Sequence, residues 1–103
     1  LDYNEKYESA SLFVGKYFKQ KSDIHTKTYV RCFFVYGIDK KSCELKTIEI
    51  SYYTDSEGVF SVNNHWNFNF DKNKHVEITR RKFKIYFSRV AKEVNGINRM
   101  NQQ

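Results

Sequence analysis

The strongest chemical signal in the chain is a run of cations, Arg80, Arg81, Lys82 and Lys84, at the start of a segment with helical periodicity. A helix N-terminus already carries positive partial charge and unpaired amide donors, so each added cation costs a few tenths to about 1 kcal/mol at low salt. A chain shaped only for stability places acids there. Free amides beside cations suit a phosphate or a carboxylate, and Lys92 carries the same charge further along the segment. The competing reading is that Glu77 or Asp71 folds back to neutralise the cluster, or that solvent screens it.

Aromatic rings beside cations are a second kind of binding surface, because bases stack on them. Tyr17, Tyr29 and Tyr53 fall off the main core face in the register read below, and Arg31 shares a face with Tyr29. Arg31 and Tyr53 therefore join the helix cations as candidate anion- or nucleic-acid-binding residues. Trp66, Phe68 and Phe70 alternate with Asn67 and Asn69. That alternation places them on one face, and it assigns them to the core beneath the helix.

Other chemistries find no support in the residue pattern. His25, His65 and His75 show no helical i, i+4 pair, and Cys32 and Cys43 form no Cys-x-x-Cys unit, so no metal motif is read. No nucleophile elbow, phosphate-binding glycine loop or paired-carboxylate pattern occurs. The expectation is a non-enzymatic protein without a cofactor. A hairpin turning near Asp39-Lys40 sets Cys32 opposite about Thr47 and Cys43 opposite about Tyr36, out of register for a disulfide. Two free thiols suit a reducing compartment and a cytoplasmic location. The first residue is Leu1, which leaves room for a leader removed before it.

The elements that must position these residues follow from hydrophobic pattern. Residues 1–11 are polar and mixed in charge, and read as a loose arm. Strands are expected over 12–20, interrupted at Gly15, then over 28–37, 44–54, 59–62 and 66–70. The turns between them are a loop at 21–27, Gly37–Ser42, Asp55–Gly58 and Asn63–His65. Thr28–Gly37 carries apolar residues on both faces and reads as central. In Glu44–Thr54, Ile48, Ile50 and Tyr52 point to one face, and Thr47, Glu49 and Ser51 to the other. Phe83, Tyr86, Phe87, Val90 and Val94 recur every three or four residues, with Thr79 as N-cap and Asn95-Gly96 as stop. The fold class is α+β: an antiparallel meander of four to five strands, twisted or partly rolled, with one C-terminal amphipathic helix packed on it. Residues 12–96 form the single domain, and 97–103 a polar tail in which Ile97 and Met100 dock. The run Gly15–Tyr53 resembles a small SH3-like or Tudor-like meander, without a diagnostic motif of either.

Composition sets the outer limits. The 103 residues suffice for one domain, and the 17% aromatic content can build a core. No apolar run approaches the roughly 20 residues of a membrane-spanning helix. Residues 71–103 hold nine Lys or Arg against three acids, so this third carries the whole net charge of +6. A basic end on a neutral body points to RNA, DNA or a nucleoprotein as partner. The alternative is a protein-interaction module, such as a phage or mobile-element inhibitor or adaptor of a larger host complex, for example a nuclease. Its handle would be an open edge strand, over 12–20 or 59–62. Monomer and homodimer are both compatible with the pattern.

Overall fold

The computed structural model describes residues 2–21, 28–56 and 58–101, the last four by backbone alone. The elements run α1 (Tyr3–Ser11), β1 (Tyr17–Gln20), β2 (Tyr29–Ile38), β3 (Leu45–Tyr53), β4 (Phe60–Phe68), β5 (His75–Ile78) and α2 (Arg80–Asn101). All pairings are antiparallel and form one open sheet in the order β4-β3-β2-β1-β5. The first four strands are the expected meander. The chain then returns across the sheet to lay β5 beside β1, and the two outer strands do not meet, so the sheet stays unrolled.

β2 is central and buried on both faces, as its pattern requires. Val30 and Cys32 face α2, and Phe33 and Val35 face the other way. On the helix face, Val30, Cys32, Ile50 and Tyr52 pack against Phe83 and Val90 of α2. On the far face, Phe18, Phe33, Val35, Leu45 and Phe68 form a second cluster, flanked by Ala10, Phe13 and Phe70. The helix therefore does not lie on the Trp66–Phe68–Phe70 row. A bulge between the Thr47–His65 and Leu45–Phe68 pairs breaks the alternation. Phe68 and Phe70 join the far-face core, while Trp66 is 55% exposed with Lys46 Nζ 4.6 Å from its ring centroid.

Several local expectations need correction. The segment read as an arm holds α1, because Asp2 Oδ1 accepts the Glu5 amide (2.9 Å) and closes the first turn. β1 is only four residues long, since Gly15 takes φ +87° and ends the turn that leads into it. Asn63–His65 is not a turn but the middle of β4. Cross-strand partners hold it extended: Asn64 Oδ1 accepts the Tyr36 hydroxyl (2.9 Å), and His65 meets Glu49. The hairpin turns about Lys41-Ser42, two residues later than expected, so Cys32 lies opposite Ile50 rather than Thr47 even though a bulge at Tyr36 shifts the β2–β3 register back by one. Cys43 sits in the loop with φ +60°, and both thiols are free. Asn95-Gly96 does not stop α2, which continues to Asn101 through the stretch read as a tail. Of the loop expected over 21–27 only Lys21 is described, and His25 and the docking of Met100 lie outside the described residues.

Candidate anion interface

Thr79 starts α2 as its pattern requires. Its hydroxyl oxygen accepts the Lys82 amide at 3.1 Å, and its carbonyl accepts the Phe83 amide at 3.0 Å. Phe83, Tyr86 and Val90 then turn toward the sheet. At 100° per residue, Arg81, Lys84, Ser88 and Lys92 form the opposite stripe, which spans about 16 Å from Arg81 to Lys92. Arg80, Arg81, Lys82, Lys84 and Lys92 are all exposed. No acid occupies the first turn of the helix.

The nearby acids are engaged elsewhere. Glu77 pairs with Lys16 at 3.7 Å. Asp71 closes its own turn, where Oδ1 accepts the Asn73 amide at 2.8 Å and the carbonyl accepts the amides of Lys74 and His75. Glu93 lies 3.5 Å from Arg89 and also accepts the Gly58 amide at 3.3 Å. Among the described residues, none of the ion pairs involves the five helix cations. Back-folding by Glu77 or Asp71 does not occur. Lys19 of β1 adds a further cation on the helix flank, its Nζ 5.6 Å from the Tyr86 ring centroid.

Arg31 and Tyr53 lie apart from this set, on the far face of the sheet. The Arg31 guanidinium donates through Nε to Glu49 Oε1 and through a terminal nitrogen to Gln20 Oε1 (3.2 Å), and it lies over the Phe33 ring at 5.1 Å. Its charge is already answered. Tyr53 packs on Tyr29, with ring centroids 5.0 Å apart, and remains exposed. Tyr17, read as a surface ring, instead stacks on Phe34 at 4.6 Å beneath Phe83.

The far face also holds the polar residues of β3 that alternate with Ile48, Ile50 and Tyr52. Thr47, Glu49 and Ser51 are buried. Arg31 from β2 and His65 from β4 flank Glu49, with His65 Nε2 at 2.7 Å from Oε2. An ionised carboxylate only accepts, so that ring nitrogen donates. The alternation gives no signal of this burial, because glutamate is seldom covered unless it is paired, and its partners Arg31 and His65 come from other strands.

Among the described residues, two open grooves of about 410 and 380 Å³ border α1, and neither is lined by α2. Among the described residues, no group of three or more His, Cys, Asp or Glu side chains could hold a metal ion, and no helix is long and apolar enough to cross a membrane. The chain matches no protein-family model, no curated protein and no solved structure.

Proposed function

We propose that this chain is a non-enzymatic binding module whose helix α2 holds an anionic polymer, RNA or DNA, through its outward cations. One observation carries the reading: five exposed cations share one helix while the acids near them are engaged elsewhere. Unpaired like charges repel one another and, near a helix N-terminus, oppose the helix dipole. An anionic ligand relieves both costs. Contacts of this kind are made to phosphates, so affinity depends on salt and little on sequence.

Fluorescence anisotropy with labelled single-stranded RNA, single-stranded DNA and duplex DNA, across a salt series, tests it. Micromolar or tighter binding that weakens steeply with salt is the expected result. Absence of binding at low salt sinks the reading.

A second reading is an adaptor or inhibitor seated on a nucleoprotein. It is favoured by apolar side chains exposed beside the cations, Ile85 (62%) and Phe87 (44%). A complex that survives nuclease treatment distinguishes it from the first.

A further inference from the structure

The two edges of the sheet are unlike. β5 is four residues long and carries Glu77, paired to Lys16. β4 is nine residues long, Phe-Ser-Val-Asn-Asn-His-Trp-Asn-Phe, with no Lys, Arg, Asp, Glu or Pro. Those are the residues, with short length, that keep an exposed edge from pairing with another chain. On β4 none of them is present in a protein of net charge +6.

The register shows which backbone groups the open edge offers. The Tyr53 amide donates to the Val59 carbonyl, so Tyr53–Val59 is a hydrogen-bonded pair. Such pairs alternate along an antiparallel ladder. Ser51–Ser61, Glu49–Asn63 and Thr47–His65 therefore also bond inward. The N–H and C=O groups of Phe60, Val62 and Asn64 point out to the edge.

We propose that β4 pairs antiparallel with β4 of a second copy of this chain, about a two-fold axis through Asn64. The strand is self-complementary in that register. Asn64 meets Asn64 of the second copy, and Val62 meets Trp66 of the second copy on each side of the axis. Val62 and Trp66 are both more than half exposed in the single chain, so the pairing covers two apolar groups twice over. Asn64 Oδ1 already accepts the Tyr36 hydroxyl, which orients the amide so that its nitrogen can donate across the axis. The strand holds no Lys, Arg, Asp or Glu, and Asn64 on the axis is neutral, so the axis sets no such charges face to face. The short, charged β5 edge closes the assembly at two chains, where an unprotected second edge would propagate a fibre.

The axis is normal to the sheet, so both α2 helices lie on the same face of a ten-stranded sheet. The dimer does not rest on the anion reading. A chain that dimerises and binds no nucleic acid leaves the dimer standing.

Sedimentation equilibrium and the emission of Trp66, the single tryptophan, test the proposal on the full chain. A lone strand pairing is small beside the roughly 800 Å² per partner of a standard interface, which places dissociation in the micromolar range. The expected mass rises from 12.4 kDa toward twice that value with concentration, and Trp66 emission shifts to the blue in step. Asn64→Asp keeps the shape and the acceptor for Tyr36 but sets two carboxylates face to face. It weakens dimerisation at least about tenfold at neutral pH with the circular dichroism unchanged. Asn64→Pro removes the outward amide and does the same. A single-chain mass up to about 500 µM overturns the proposal, since that range covers micromolar dissociation. So does a dimer whose Trp66 emission is independent of concentration and whose affinity both variants leave unchanged.

Discussion

The Glu77 carboxylate lies 3.7 Å from the Lys16 ammonium. This pair takes the acid closest in sequence to the start of α2 and directs it toward β1. Arg80, Arg81 and Lys82 follow within five residues with no acid to answer them. The Thr79 hydroxyl caps the helix in place of a carboxylate, so the helix is stabilised without losing its positive end.

The far-face network makes opposite predictions for two neighbours on β3. Glu49→Ala leaves Arg31 and His65 without their shared acceptor. Arg31 is more than a third exposed, so the loss is about 2 kcal/mol, less than for a fully buried pair. Thr47 is fully buried, and its hydroxyl has no hydrogen-bond partner among the described residues. Thr47→Val therefore stabilises by up to about 1 kcal/mol. Urea midpoints read both, and a Glu49→Ala protein as stable as the parent contradicts the account.

The two thiols are expected to separate by reactivity. Burial pushes the Cys32 thiol up to about 12, and the side chain has no exposed surface. Cys43 lies in the β2–β3 loop and is part-exposed. In the native protein near pH 8, a disulfide reagent therefore titrates one thiol promptly and the second only on unfolding. Prompt reaction of both means that β2 is not the covered central strand described.

His75 ties stability to pH. Its ring packs among Phe33, Phe68 and Phe70, and Nδ1 accepts the Asp71 amide at 3.0 Å. Burial, opposed by the Asp71 charge and reinforced by Arg31 and Lys74, holds its pKa below the usual 6.5. The unfolded chain thus takes the proton first. The contribution of His75 is full above about pH 6.5 and is lost as pH falls through the depressed folded value. His75→Gln should flatten the pH dependence of the urea midpoint between about pH 7.5 and pH 5. An unchanged slope in that variant assigns the effect to other groups.

How much of this was legible in the sequence differs element by element. β2, β3 and α2 are long, and their apolar positions repeat with the right period, so their types and faces could be read directly. α1 was hidden because its residues are polar all round, although Asp2 followed three residues later by Glu5 is a capping signature. β4 was split because Asn63-Asn64-His65 has turn chemistry, and only its partners Tyr36 and Glu49 on neighbouring strands show why it stays extended. The position of Trp66 depends on a bulge, which moves the later residues of β4 out of strict alternation. Of the candidate site, the helix cations were legible as a cluster. The attachment of Arg31 to Glu49 was not, because it joins residues 18 apart through a register that periodicity alone does not fix.

The central claim is that charge arranged on α2, and not net charge alone, holds the anionic partner. Its most direct test is the salt dependence of single-stranded RNA binding for two charge-matched variants. Arg81→Ala/Lys84→Ala removes two cations from the outward stripe, and Lys40→Ala/Lys41→Ala removes two exposed cations from the β2–β3 loop. The account predicts that the helix variant loses about 1.4 from the slope of log K against log salt and binds at least about tenfold more weakly. The loop variant should stay close to the parent. Equal weakening in both variants, or no change in the helix variant, would contradict it.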